Sequence, residues 1–545
     1  MEPSTRPNSQ PNNQPSSEPR VAPSSEPRAT PSTASSTRRS ATSSGRRDRL
    51  TRLAESTLQP GFVGTTLPDW VRRGIAGGLT SVVLFGRNIV DPEQVARLTA
   101  ELRAENRDLI IAIDEEAGDV TRLEAWTGAS RPGNLALGAV DDVELTESVA
   151  RDIGRELHAA GVSLDYAPSA DVNSNPFNPV IGARSFGAGT DVVCRHTAAW
   201  IRGLQSAGVA ACAKHFPGHG DTSVDSHHGL PQVSASAEEI AATALPPFLA
   251  AMEAGVRVVM TGHLLAPAYD TELPATMSPR ILVDLLRGEL GFDGLVVTDG
   301  IEMSAVTARY GIDGATVRAV KGGADAVCVG GENAGEATFD QLANALVQAV
   351  VDGTLPEARI SEAAARVAEF AAWSGSRTRA VATDAAASDI GLVAARRALR
   401  VRTEGDRGSV LPLVGAPHVV ELAPTMNLAI DGQTPWGVAA PLSDLLPGTT
   451  SVRLTETDLR ESGDLLDRKG LDPAAERSLV VVVRDAARHG WMSAAMERLL
   501  GSRPDAVVVE MGVPNGAAPG AVHLITHGAT RVSGMAAAEF LAGRR

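Results

Sequence analysis

Positive charge is scarce in this chain: 50 Lys plus Arg stand against 65 Asp plus Glu, a net charge of −15 that argues against a nucleic-acid binder. Cysteine is scarcer still. Cys194, Cys212 and Cys328 are too few and too scattered for a disulfide framework or a zinc cluster, and buried, reduced thiols are expected. No apolar run approaches the roughly 20 residues needed to span a bilayer, so membrane insertion is not expected. The N-terminus also lacks the apolar stretch of a secretory signal, which makes the cytoplasm the expected location. Lysine is nearly absent, three residues against 47 Arg, a usage that hints at a GC-rich bacterial genome.

Large apolar side chains are almost missing from the first 48 residues, where only Met1 and Val21 are of any size. Residues 1–47 hold 12 Ser and 8 Pro with seven Arg, and repeat SSEPR at 16–20 and 24–28. Such a segment cannot bury enough surface to offset chain entropy, and residues 1–48 read as a disordered, low-complexity tail. The rest is different: the whole chain is 43% hydrophobic over 545 residues, which gives room for two or three domains.

After the tail, short continuous apolar runs alternate with helical patterns, as in a parallel sheet covered on both faces. Eight strands are expected near 61–65, 81–85, 109–114, 162–166, 209–215, 257–262, 294–299 and 324–329. Helices are expected over 92–105, 143–160, 237–254 and 336–352, with a closing one at 360–373. Eight such units are the count of a (β/α)8 TIM barrel, placed at residues 49–375. The small, polar stretch that follows predicts a linker at 376–388. Residues 389–545 then read as a smaller α/β sandwich domain, with a helix at 389–401 and strands at 418–423, 478–485, 506–511 and 523–526.

In such a barrel the chemistry collects where strands end, and the sequence places ionisable residues there while the strand bodies carry almost none. Strand three ends at Asp114, strand five at Lys214 and His215, strand six at His263 and strand seven at Asp299. After strand five, His219, Asp221, Asp225, His227 and His228 follow among turn-forming Pro217, Gly218 and Gly220, so the chain folds back over the barrel mouth. Asp225 and His227 are two apart, so in an extended stretch they point the same way, and a carboxylate beside an imidazole favours a usable proton donor. Asp299, followed by the unobstructed Gly300, fits a nucleophile, a general base, a metal ligand or an N-cap for the next helix. Asp114 has the same ambiguity, and Arg122 and Arg184 fit either ligand clamps or surface salt bridges.

The runs KHFPGHGDTSVDSHHGLP (214–231), GLVVTDGIEM (294–303), DEEAGDVTRL (114–123) and IGARSFG (181–187) resemble the β-N-acetylglucosaminidases of glycoside hydrolase family 3. The resemblance spans about residues 60–370, and the second domain is more weakly similar to that of two-domain members. It implies a retaining mechanism with a covalent glycosyl-enzyme intermediate, without metal or other cofactor. Asp299 would be the nucleophile and His227, with Asp225 as its partner, the acid and then the base, in place of the usual second carboxylate. Asp114, Arg122, Arg184, Lys214 and His215 would hold the sugar. A peptidoglycan fragment or muropeptide is the implied glycan substrate, with cell-wall recycling as the process. The oligomeric state is not legible.

The family motif at strand three commonly runs Gln-Glu-Gly-Gly followed by a basic residue, whereas this chain has Glu115, Glu116, Ala117, Gly118 and Asp119. That departure bears on the leaving-group side of the pocket. Two rival readings stay open. A metal-dependent barrel hydrolase is disfavoured because such sites begin with a His-x-His pair ending strand one, and GFVGTTLP has no His. A phosphorylase would use the same intermediate with phosphate as acceptor, since a neutral imidazole does not repel an anion as a carboxylate does.

Overall fold

The structure is a computed structural model that describes residues 34–331, 335–380, 388–403, 410–427, 429–514 and 519–544. Residues Asp48–Arg545 form one compact unit. Most of the expected disordered tail, residues 1–33, lies outside the described residues, and from Ala34 the chain is helical as far as Ser56.

Eight short parallel strands follow, β1 (Leu58–Pro60), β2 (Ser81–Leu84), β3 (Ile110–Ile113), β4 (Leu164–Asp165), β5 (Ala210–Phe216), β6 (Val258–Thr261), β7 (Leu295–Thr298) and β8 (Val327–Val329). β2 to β7 pair in chain order, a bridge between Val297 and Ala326 carries the order on to β8, and β8 pairs with β1. Strand one therefore lies at Leu58–Pro60 and not at 61–65, where Pro60 ends the ladder and the chain turns into the mouth. Because side chains alternate along a strand, each strand feeds two cores. Val83, Ile110, Cys212, Val258, Val297 and Cys328 meet on the inner side, closed at one end by Val367 and Phe370 of the helix Glu357–Ala380. Val82, Ile111, Ala211, Val259 and Val296 face outward against the surrounding helices. Cys212 and Cys328 are buried free thiols, as expected, whereas the free thiol of Cys194, on a helix, is only half-buried.

The expected helix over 237–254 is two, Ala237–Thr243 and Pro246–Glu253, because Pro246 and Pro247 lack the amide hydrogens needed to continue the first. The closing helix runs from Glu357 to Ala380, into the stretch read as linker, of which 381–387 lie outside the described residues. The expected helix 389–401 ends at Ala398, and the chain continues as β9 (Arg400–Thr403).

A second sheet contains β10 (His418–Leu422), β11 (Thr450–Leu454), β12 (Leu479–Val483), β13 (Val507–Glu510) and β14 (Val522–Ile525), in the order β11-β10-β12-β13-β14-β9. Only β9 runs antiparallel. Both faces of the central strands are buried, Val480, Val482 and Val509 on one side and Val481, Val483 and Val508 on the other. The two edge strands, β9 and β11, are largely exposed and carry Arg400, Arg402 and Arg453, charges that discourage pairing with another chain.

Candidate active site

The C-terminal ends of β2 to β8 open into a cavity of about 480 Å³. Asp114, Arg122, Arg184, Lys214, His215, His227 and Asp299 all line it, and Asp225 stands directly behind His227. All eight residues singled out from the sequence are therefore brought together.

Asp299 follows β7 and is half-buried, with its backbone N–H on the carbonyl of Thr261 (3.1 Å) and Oδ1 accepting from Gly300 N–H (2.8 Å). Burial alone raises the pKa of this carboxyl. The imidazoles of His215, His263 and His227, together with the Gly300 amide, outweigh that effect and hold it well below the usual carboxylate range. Asp299 does not cap the next helix, Ser304–Gly322, whose first turn receives no side-chain cap. It is an ionised, forward-facing carboxylate.

His227 Nδ1 lies 2.7 Å from Asp225 Oδ1, and the same oxygen accepts the His227 backbone N–H at 2.9 Å. A tight turn, not an extended stretch, therefore brings the pair together. With Nδ1 tied to a carboxylate as donor, Nε2 is the ring nitrogen left for a ligand. Burial raises the Asp225 carboxyl, and the His227 hydrogen bonds more than offset this and lower it.

The sugar-holding candidates form one charged net. Lys214 Nζ reaches Asp114 Oδ1 at 2.6 Å and Glu116 Oε1 at 2.7 Å, while Arg184 grips Glu116 in a fork at 2.7 and 2.8 Å. Burial works against the charges of Glu116, Arg184 and Lys214. The two cations nevertheless keep Glu116 far below its usual range, and Asp114 with Glu116 keeps Lys214 protonated. Arg184 is thus no surface salt bridge: its side chain is 7% exposed and its partner's 2%. Arg122 aims both terminal nitrogens at the carbonyl of Ala429, each at 3.1 Å, and Ala429 belongs to the chain after β10.

Two buried acids escaped the sequence reading. Glu116 is the hub of the charged net. Asp171, in the loop after β4, accepts from His215 Nδ1 (2.7 Å), from His219 N–H (2.6 Å) and from Ser169 Oγ (3.0 Å). Burial raises its carboxyl, and the His215 ring reverses that into a lowered pKa. The strand-end rule that singled out Asp114 and Asp299 applies equally to the loop after β4, and would have found Asp171. No pattern could have found Ala429, which acts through its backbone.

Two further imidazoles at the site, His219 and His263, have partners. His219 Nδ1 meets Thr222 Oγ1 at 2.7 Å, and burial, reinforced by His215, lowers its pKa to about 4. His263 lies between Thr276 Oγ1 (2.8 Å) and the carbonyl of Gly300 (2.9 Å), supporting the turn that presents Asp299. Among the described residues no three His, Cys, Asp or Glu converge as metal ligands, and the free edge of His215 faces the cationic Arg184 at 3.4 Å.

Residues 66–370 match the Glycosyl hydrolase family 3 N terminal domain. The chain belongs to glycoside hydrolase family 3. As a glycosidase of that family it is 34% identical over 401 residues to β-hexosaminidase A of Pseudoalteromonas piscicida, an alignment covering 68% of this chain and 65% of that one. It is 37% identical over 279 residues to a β-hexosaminidase of Stenotrophomonas maltophilia, 49% of this chain but 82% of the relative. The fold is similar to that of a family 3 β-N-acetylglucosaminidase from a Paenibacillus species, with a TM-score of 0.79 and 33% identity over 91% of this chain and 97% of that one.

Proposed function

We propose that this glycosidase is a retaining β-N-acetylhexosaminidase that removes terminal β-linked N-acetylglucosamine, with peptidoglycan fragments as the natural substrate. The observation that carries the mechanism is that an ionised Asp299 and a His227 fixed by Asp225 face one cavity. The names of the relatives support the sugar specificity. The same reading takes residues 49–375 as a closed (β/α)8 barrel and 389–545 as an α/β sandwich, in keeping with the strand order.

In the first step the Asp299 carboxylate attacks the anomeric carbon, the bond from that carbon to the glycosidic oxygen breaks, and the departing oxygen takes a proton from His227 Nε2. In the second, water gives a proton to Nε2 and attacks the same carbon, and the ester to Asp299 opens. Asp114, Lys214, Arg184, His215 and Arg122 hold the sugar hydroxyls by charge-assisted hydrogen bonds, which are strong and directional in a site of this burial.

Turnover of an aryl β-N-acetylglucosaminide, with the sugar product identified in buffers with and without phosphate, tests the reading. Free N-acetylglucosamine at a phosphate-independent rate is expected. Sugar 1-phosphate at a phosphate-dependent rate would replace hydrolysis by phosphorolysis. A disaccharide of N-acetylglucosamine on anhydro-N-acetylmuramic acid tests the natural leaving group, and failure to cleave it while the aryl substrate turns over would remove the peptidoglycan assignment.

A further inference from the structure

The turn after β3 departs from the family motif at Asp119, and the structure gives that residue a partner far along the chain. Glu116 N–H bonds the carbonyl of Val120 (3.1 Å), closing a tight turn over Ala117 and Gly118, both with positive φ (58° and 71°). A Cβ at Gly118 would stand 2.4 Å from the Cα of Gly133, so the turn admits only glycine there. Asp119 is carried at the tip. Its Oδ2 receives Arg484 at 2.6 Å and its Oδ1 the backbone N–H of Ala529 at 3.1 Å, with the two side chains 5% and 6% exposed.

Arg484 is the first residue after β12, and the second sheet switches direction there: from β10 the chain adds β11 on one side and then β12 on the other. The crevice at such a switch point, at the carboxyl ends of the strands, is where open α/β sheets bind their ligands. In this chain the barrel's turn reaches into that crevice, with Asp119 on Arg484. A void bordered by Asp119, Arg484 and Ala529 measures only about 10 Å³. The occupant is the barrel's own turn, whose Asp119 supplies the anion.

The feet of that turn carry the site. Glu116, on one side, holds Arg184 and Lys214, and on the other Arg122 lies beneath the Ala429 carbonyl. We propose that Arg484 is a positioning residue for the sugar pocket: by holding Asp119 it fixes the turn that presents Glu116 and Arg122, so that the second sheet is a required part of the substrate site. This rests on the proposed role of Arg122 in holding sugar.

The test is a double-mutant cycle on KM and kcat with the full chain and an aryl β-N-acetylglucosaminide, folding being checked by near-ultraviolet circular dichroism. Arg484→Ala and Asp119→Ala are each expected to raise KM about tenfold or more with kcat within about threefold, since small misplacements of positioning groups are costly. The double variant, which leaves no lone buried charge, is expected to show the same KM rise and not the product of the two. An unchanged KM in either folded single variant, or multiplicative effects, overturns the proposal. Should the single variants fail to fold, the double variant decides: a raised KM supports it and an unchanged KM overturns it. Arg122→Ala separates the underlying reading. A raised KM there with an unaffected Arg484→Ala refutes the positioning role alone, and an unchanged KM in Arg122→Ala overturns both.

Discussion

Two parallel sheets in this chain follow the same rule and end differently. In each, apart from the edge strand β9, the apolar strands run one way and ionisable residues gather at or just past their carboxyl ends: Asp114, Lys214 and Asp299 in the first, Arg484, Asp485 and Glu510 in the second. Past the first sheet lies a cavity of about 480 Å³, whereas at the switch point of the second the void beside Asp119 and Arg484 is about 10 Å³. The charges of the second are met by protein. Asp119 meets Arg484, and the Glu510 carboxylate accepts the backbone N–H groups of Asp485 and Gly512, each at 2.9 Å. Topology alone therefore predicts where polar groups converge, and only packing decides whether they meet a substrate or a neighbouring loop.

The strongest test of this contrast removes the carboxylate that the first sheet leaves open. Asp299→Ala is expected to fold as the native chain does and to lose at least about 10³-fold in kcat, as for loss of a nucleophile. Substantial residual turnover, measured after excluding contaminating activity, would take the nucleophile's role from Asp299. Next in size is His227→Ala, expected to cost about 10²- to 10⁴-fold on a disaccharide. Its cost should be much smaller for the first step with an aryl substrate, whose leaving group needs no proton. Equal losses on both substrates, compared by burst kinetics, would argue against the acid role.

A smaller effect is expected at Asp171, which touches no substrate position and acts through His215. Asp171→Asn keeps the volume but offers His215 Nδ1 a weaker acceptor, and about a 10- to 100-fold fall in kcat/KM is expected, by analogy with partners that orient metal-bound imidazoles. The pH profile should shift as well, because the charge behind the ring is gone. A lowered melting temperature with an unmoved pH profile would reduce Asp171 to a structural role.

The legible and illegible parts of the molecule divide along the same physical line. Strands such as IIAI, LVVT and LVVVV were readable because burial on both faces leaves a continuous apolar run, and strand ends were readable because charges stop the run. β9 and β11 were missed since an edge strand is half wet and shows no such run, and β1 was displaced because a proline that ends a ladder leaves only three residues of signal. In the site, Asp225, His227 and Asp299 stood out by residue type and position. Asp119 stood out only as a departure, and its partner Arg484 lies 365 residues away, a pairing that no local pattern carries. The Ala429 carbonyl has no residue-type signal at all.

The smallest expected effect compares buried histidines that lie outside the chemistry. His527 follows β14, donating from Nδ1 to the carbonyl of Ala398 (3.0 Å). Burial depresses its pKa, the Ala398 bond offsets part of this, and Arg400 and Arg402 add to the depression, giving about 4. In the unfolded chain the ring titrates near 6.5. Between those values the unfolded state binds a proton that the folded state does not, so the contribution of His527 to stability is greatest above pH 6.5 and is lost as pH falls toward 4. Asn tolerates the positive φ of 58° at this position and does not titrate. The stability gap between the native chain and His527→Asn, from urea unfolding, should therefore narrow by about 1 kcal/mol from pH 7 to pH 5 after discounting for solvent screening. At pH 7 kcat/KM should stay within about twofold, because the ring belongs to the filled end of the second sheet and not to the open cavity of the first. A gap constant with pH would mean that the ring takes up its proton in the folded protein as readily as in the unfolded one, and that the second sheet's end is wetter than its packing implies.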